Sequence, residues 1–195
     1  MVRVFINGYG NIGRRIASAF SHDEEIQLVG IGKYSIDDRL DEAFTKKFDV
    51  YVPEEKMPDF RQKGYDISGT ISDAVKASDI VIDAAKDGFG YTNKKNFYIP
   101  MGKSAIFQGG EDRAGEKKVA DLIHNSRINY DKVANQKYVI QGSCNVSGMG
   151  RIMQPLIEKF GDKIQRYDVT LIRRSADLED TKEVKDSIEW DKNPH

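Results

Sequence analysis

Residues Val2 to Arg14 read VRVFINGYGNIGR, and no other run in the chain constrains its fold as tightly. Val2, Val4 and Ile6 alternate as a short buried strand, Gly8-Tyr9-Gly10-Asn11-Ile12-Gly13 follows at once, and a helical stretch runs from Arg14 to Phe20. A glycine-rich turn between a first strand and a first helix is how a doubly wound α/β sheet holds a dinucleotide. In that reading Gly8 permits the tight turn, Gly10 lets the backbone approach a pyrophosphate, and Gly13 lets the helix close on the strand. The helix start, with Asn11 and Ile12, offers unpaired backbone N–H groups and a positive dipole end to the phosphates.

The rest of the chain alternates strand and helix signals without an internal repeat. Ile26 to Ile31 is a second apolar strand, Asp37 to Phe48 reads as helical, and Tyr51-Val52-Pro53 marks an extended piece. Ser72 to Ala77 is expected to be a short helix with Ser72 as its N-cap. Asp79 to Ala85 and Ser104 to Gln108 read as strands, with a short helix between them from Asn93 to Tyr98, closed by Pro100. Glu116 to His124 has an amphipathic, helical pattern, and Lys137 to Gln141 is a strand running into Gly142-Ser143-Cys144-Asn145. Tyr167 to Ile172 is strand-like. Such alternation predicts a mostly parallel, doubly wound α/β sheet with ligands gathered at the carboxyl ends of its strands. Gly8, Gly109-Gly110 and Cys144 all fall just after strand ends, so one crevice can hold them all.

Composition narrows the classes. The 195 residues carry 30 basic and 31 acidic side chains, a balance that favours neither nucleic acid nor an acidic membrane as partner. No apolar run approaches a membrane span and the N-terminus has no signal-peptide pattern, so a cytoplasmic location is expected. A single cysteine excludes an intrachain disulfide framework and argues against a closed cysteine-based zinc site. No metal ligand set is proposed.

That cysteine, Cys144, sits between a strand and the helical periodicity of Ile152, Met153, Leu156, Ile157 and Phe160. At a helix N-terminus a thiolate is stabilised by the dipole and by nearby N–H groups, which can also bind an oxyanion formed when the sulfur attacks a carbonyl. The competing reading is a small buried apolar residue, because free cysteine is among the most buried residue types. Position alone leaves both open.

Taken in order, NGYGNIGRR at the start, Gly32-Lys33 after the second strand, Ile106 to Glu111 (IFQGGE), Ser143-Cys144-Asn145 and Arg173 to Asp177 (RRSAD) resemble the archaeal type of glyceraldehyde-3-phosphate dehydrogenase. The resemblance implies a dinucleotide-binding domain over residues 1–142, the beginning of an α+β catalytic domain over 143–195, and a tetramer. It places Cys144 at the nucleophile, which attacks the aldehyde of glyceraldehyde-3-phosphate to form a hemithioacetal. Hydride transfer then gives a thioester that inorganic phosphate releases as 1,3-bisphosphoglycerate. Ser143 and Asn145 are implied to flank the substrate. Gly109 and Gly110 are implied to approach the nicotinamide half of the cofactor, and Arg173 to contact cofactor or substrate.

Cofactor choice is read from the end of the second strand, where an NAD site usually has an acid for the ribose hydroxyls. Here Gly30-Ile31-Gly32-Lys33-Tyr34-Ser35 has no acid before Asp37, so Lys33 is expected to meet a 2′-phosphate and Ser35 to add a hydrogen bond, favouring NADP over NAD. The alternative is a solvated loop lysine. His22 and His124 are expected on helix ends or faces with no role in chemistry.

The chain ends at Asn193-Pro194-His195, before the family's histidine-rich substrate segment. His195 matches the first histidine of that segment loosely, as a substrate-binding residue or the missing base. Three expectations follow: a split enzyme completed by a second polypeptide, a fragment of a longer enzyme, or a non-catalytic dinucleotide-binding module. A semialdehyde or acyl-phosphate reductase, also built on a dinucleotide-binding domain and a cysteine thioester, is the competing chemistry. An incomplete catalytic domain is also expected to expose apolar surface at Ile152, Leu156 and Phe160.

Overall fold

The computed structural model describes residues 1–170 apart from Asp87, Gly109, Gly110 and Arg113. Two compact units are present, Met1–Gln154 and Pro155–His195. The first is built on an eight-stranded sheet, all pairs parallel: β1 (Val2–Asn7), β2 (Ile26–Gly32), β3 (Val50–Val52), β4 (Gly69–Thr70), β5 (Ile80–Asp83), β6 (Ser104–Phe107), β7 (Leu122–His124) and β8 (Tyr138–Gln141). Their spatial order is β4-β3-β2-β1-β5-β6-β8-β7. The chain winds outward from β1 to β4, returns beside β1 as β5 and winds outward the other way. The switch point of this Rossmann-type sheet therefore lies between β1 and β5, the place where such sheets open a crevice.

The alternation in β1 decides both cores. Val4 and Ile6 face one side with Ile31, Val50, Val52 and Ile82, where Ala17 of α1 (Asn11–Phe20), Leu40 and Ala43 of α2 (Asp38–Thr45) and Phe60 of α3 (Met57–Gln62) cover them. Phe5 faces the other side with Val81, Ala105, Phe107 and Ile140, beneath Ile71, Ala74 and Val75 of α4 (Ile71–Ala77) and Tyr98. Phe5 and Ile6 are fully buried, each contributing roughly 1.5–3 kcal/mol of apolar transfer.

Three sequence expectations need correction. The cap of α4 is Thr70 rather than Ser72: the extended Thr70 backbone lets its hydroxyl accept from the Asp73 N–H, and Asp73 answers at the Thr70 N–H, a reciprocal capping box with Ser72 inside the helix. Residues 116–124 are not helical. After Gly115 the chain turns, Val119 and Ala120 go into the core, and Leu122–His124 pairs with β8. Apolar residues at 119, 120, 122 and 123 fit a helix face in sequence, but the edge of β8 claimed the backbone instead. His124 consequently lies on a strand. The expected helix 37–48 is shorter, with Asp37 as its N-cap and Lys47 left-handed at φ 58° beyond its end.

The segment after β5 forms α5 (Phe89–Asn93) and a π-helical turn, Lys94–Tyr98. Helix α6 (Cys144–Phe160) contains Pro155, where the two units divide. In the second unit Leu156, Ile157 and Phe160 are exposed, and residues 167–170 carry no regular structure.

Candidate functional site

The glycine turn fits between β1 and β5. Gly8 has φ 118°, and a Cβ there would collide with the Ala84 carbonyl oxygen that follows β5. A Cβ at Gly13 would run into the Gly8 carbonyl oxygen, so α1 reaches β1 only because residue 13 has no side chain. Gly10 differs: nothing lies within 4 Å of where its Cβ would be. The protein itself does not need a glycine at position 10, whereas a ligand approaching the backbone would. Gly10 is also the N-cap of α1 and brings no side chain to close the first turn, which holds no acidic residue. The Oδ1 of Asn11 is buried there without a hydrogen-bond partner. This open, acid-free helix start is suited to an anionic group such as a pyrophosphate.

Beneath the turn runs a buried polar network that the sequence reading missed. The Tyr34 hydroxyl donates to Asn7 Oδ1 at 2.8 Å, Asn7 Nδ2 donates to the Tyr98 hydroxyl at 2.8 Å, and that hydroxyl donates to Asp83 Oδ2 at 2.5 Å. Asn93 Nδ2 also donates to Asp83 Oδ2 at 2.9 Å, and the Ala85 N–H to Asp83 Oδ1 at 3.1 Å. Burial raises the Asp83 carboxyl above the ordinary Asp range, and the bonds from Tyr98, Asn93 and Ala85 oppose that rise. Burial also raises the phenols of Tyr98 and Tyr34, helped by the Asp83 charge. Asn7 and Asp83 end adjacent strands in register, which was the available signal. Tyr34 and Asn93 further line a cavity of about 400 Å³ walled by Phe89, Phe97 and Ile71.

Lys33 follows β2 as expected but is not a solvated loop lysine. It is 4% exposed, and its Nζ meets Asp37 Oδ2 at 2.6 Å. Ser35 Oγ donates to that same oxygen at 3.0 Å. Although burial pushes the Asp37 carboxyl up, the Lys33 hydrogen bond and charge, with Ser35 and the Arg39 N–H, hold it below its usual value.

Cys144 is the first residue of α6 and is exposed in this chain rather than packed into its core. Ser143 caps the helix weakly, its Oγ accepting from the Val146 N–H at 3.4 Å while its carbonyl takes the Ser147 N–H at 2.8 Å. The helix start is pinned from below by Asn125, another residue the sequence reading passed over. Asn125 is buried, donates from Nδ2 to the Val146 carbonyl at 3.3 Å and accepts the Arg127 N–H at 3.0 Å. Asn129 holds Asn125 in turn, accepting its N–H at 2.8 Å and donating to the Ile123 carbonyl at 2.8 Å. The Asn-x-x-x-Asn spacing was the only sequence trace of this brace.

The structure thus places Gly8, Gly10, Asn11, Ile12, Gly13, Lys33, Ser35, Ser143, Cys144 and Asn145 at the carboxyl edge of one parallel sheet. Gly109, Gly110, Arg173 and His195 lie outside the described residues. His22 is exposed in the turn after α1, and the His124 ring sits 6.2 Å from that of Tyr130 with its Nδ1 buried and unpartnered.

No protein-family model matches the chain. Curated glyceraldehyde-3-phosphate dehydrogenases do match: that of Pyrobaculum calidifontis is 35% identical over 182 residues, that of Sulfolobus acidocaldarius 38% over 181, and that of Thermoplasma volcanium 37% over 182. Each match covers 93% of this chain, which spans about half the length of those relatives (52%, 51% and 52%). Among solved structures, aspartate semialdehyde dehydrogenase with NADP from Candida albicans aligns with a TM-score of 0.54 at 17% identity, over 83% of this chain and 48% of that one, a likeness of fold. No helix among the described residues is long and apolar enough to cross a membrane. The resemblance carried by the motifs therefore extends over nearly the whole chain, which is similar throughout that length to the archaeal glyceraldehyde-3-phosphate dehydrogenases.

Proposed function

We propose that this chain forms the dinucleotide-binding part of a phosphorylating glyceraldehyde-3-phosphate dehydrogenase and supplies its nucleophile. The observation that carries this reading is the order of groups along the carboxyl edge of the sheet. Lys33 and Tyr34 follow β2, the glycine turn follows β1, Ala84 follows β5, Gln108 follows β6, and Ser143-Cys144 follow β8, in neighbouring-strand order. Four strand spacings of ~4.8 Å put the two ends of that row roughly 19 Å apart, a span that an extended dinucleotide can cover. The aromatic cavity beside Tyr34 and Phe89 suits an adenosine end. The open start of α1 suits the pyrophosphate, and the nicotinamide end then falls on the side of Cys144.

In this role the Cys144 thiolate attacks the aldehyde carbon, forming the S–C bond while the carbonyl electron pair moves onto oxygen. The N–H groups of the first turn of α6 stabilise that oxyanion. When bound, the nicotinamide ring supplies the hydride acceptor that converts the hemithioacetal to a thioester. Inorganic phosphate then attacks the thioester carbon and expels the Cys144 thiolate, giving the acyl phosphate.

The cofactor favoured is NADP, because Lys33 rather than an acid follows β2. The working unit is an assembly, whether of copies of this chain or with a second polypeptide. Ile123, Ile128, Tyr130 and Ile152 are 39%, 49%, 70% and 68% exposed. An apolar groove of about 540 Å³, lined by Ile16, Phe20, Ile82, Ile106, Val139 and Tyr130, opens on the face carrying α1. Surfaces of this kind mark association sites.

Calorimetric titration with NADP and NAD, followed by phosphate-dependent nicotinamide reduction in the native assembly, tests the reading. NADP should bind more tightly, and Cys144→Ser should abolish turnover while leaving cofactor affinity unchanged. Failure to bind either dinucleotide overturns it.

A further inference from the structure

We propose that Asp37 is a built-in competitor for the 2′-phosphate of the cofactor and so sets how strongly the site separates NADP from NAD, an inference that rests on the cofactor reading above. Its basis is one oxygen atom. Asp37 Oδ2 is held by the Lys33 ammonium at 2.6 Å and by the Ser35 hydroxyl at 3.0 Å, one cation and one neutral donor converging on an anionic oxygen. A phosphate oxygen would require the same donor set. Both groups through which the sequence offers a 2′-phosphate a welcome are therefore already committed to a carboxylate of the chain itself.

The exposures matter as much as the distances. The Lys33 side chain is 5% exposed and the Asp37 side chain 40%, so the carboxylate is the member of the pair that solvent, and a ligand in it, reaches more readily. Lysine is almost never buried to this degree unless paired, and Asp37 is the pair. The other Asp37 oxygen, Oδ1, accepts the Arg39 N–H at 3.0 Å as the N-cap of α2, which keeps the carboxylate from swinging away freely. A 2′-phosphate must then displace Asp37 Oδ2 or share Lys33 with it against like-charge repulsion. A 2′-hydroxyl carries no such charge. Wild-type preference for NADP is accordingly smaller than Lys33 alone would produce.

Two variants isolate the effect because each keeps a capping side chain at position 37. Asp37→Asn removes the charge and, with its oxygen on the Arg39 N–H, turns an amide NH₂ toward Lys33. Asp37→Ser caps with a shorter side chain and leaves both Lys33 Nζ and Ser35 Oγ for a ligand. Dissociation constants of the full chain for NADP and for NAD are measured by calorimetry, with thermal melts to establish folding. The NAD-to-NADP ratio of dissociation constants should rise about tenfold or more in both variants, the scale of one hydrogen bond to a charged group. Adding Lys33→Met to Asp37→Ser should erase the gain. A ratio that stays at the wild-type value or falls in the folded variants overturns the proposal while the cofactor reading survives. Wild-type chain that binds neither dinucleotide overturns both.

Discussion

The glycine turn offers a direct separation of what the fold requires from what a ligand requires. At Gly13 an added methyl would lie inside contact distance of the Gly8 carbonyl oxygen, with the Ala84 side chain 3.5 Å away, so α1 must shift off β1. Forced overpacking of this kind costs about 1–3 kcal/mol, a large part of the roughly 5–15 kcal/mol that holds an ordinary domain folded. At Gly10 the methyl would meet nothing within 4 Å, and φ is already −90°. Gly10→Ala trims the freedom of the unfolded chain by about 0.4–1 kcal/mol, against a comparable loss because alanine is a poorer N-cap than glycine. The two nearly cancel, so urea midpoints should place Gly10→Ala beside wild type and Gly13→Ala well below it. Affinity should follow a different pattern. The Gly10→Ala methyl projects from the open start of α1, where the pyrophosphate is proposed to approach, and should cost at least about 1.4 kcal/mol of NADP binding, a factor of ten. Calorimetric titration at matched folded concentrations reads this out. Equal destabilisation of the two variants, or unchanged NADP affinity in Gly10→Ala, would refute the reasoning.

Three further outcomes are expected. Cys144 is the only cysteine and is exposed at the start of α6, so iodoacetamide should give a single adduct on folded protein without denaturant; an unlabelled folded chain would contradict this. Because burial raises the Asp83 carboxyl, its contribution to stability is complete below the unfolded Asp value and is lost as pH rises through the higher folded value. Asp83→Asn should therefore gain on wild type in urea midpoint as pH rises across that window, and parallel pH profiles would count against a burial penalty on the carboxylate that outweighs its three hydrogen bonds. Asn125→Ala removes the bonds to Val146 and Arg127, costing about 1–3 kcal/mol. Amide exchange over residues 144–150 should accelerate, and unchanged exchange would show that Asn125 does not brace α6.

Much of the framework is legible locally because each strand is a short apolar run bounded by turn residues, and because the glycine spacing admits few backbones. β7 was not legible. Its apolar positions satisfy a helix template equally well, and only the free edge of β8, far along the chain, decides between them. The Thr70 cap was missed for a smaller reason: Thr70 and Ser72 are both capping residues, and only Thr70 stands three residues before an acid that can reach back. At the site, the position of Lys33 after β2 was legible, but its burial against Asp37 was not, since Asp37 lies within reach only once the chain has turned into α2. Cys144 could be placed at a helix start from sequence, whereas Asn125 could not be tied to it. The bond from Asn125 to the Val146 carbonyl depends on β7 and β8 lying side by side.

The buried acid at the end of β5 shows how these scattered residues act together. Asp83 has no cation beside it among its hydrogen-bond partners; three donors, from Tyr98, Asn93 and Ala85, share its two oxygens. A buried carboxylate is weak evidence for stability, because an apolar replacement of similar volume often folds as well. What it does here is geometric. Through Tyr98 it reaches Asn7 at the end of β1, and through Asn7 it reaches Tyr34 beyond β2. Three strand ends are thereby joined directly under the turn in which Gly8 lies against the Ala84 carbonyl. Tyr34 and Asn93 belong to this network and also to the wall of the aromatic cavity. Shifting that wall strains bonds that end at the glycine turn, and a half-satisfied buried network is costly. The spacing between the adenosine side and the pyrophosphate side of the proposed cofactor crevice is therefore held by side chains in the interior, leaving the glycines of the turn free of side chains that would obstruct a ligand.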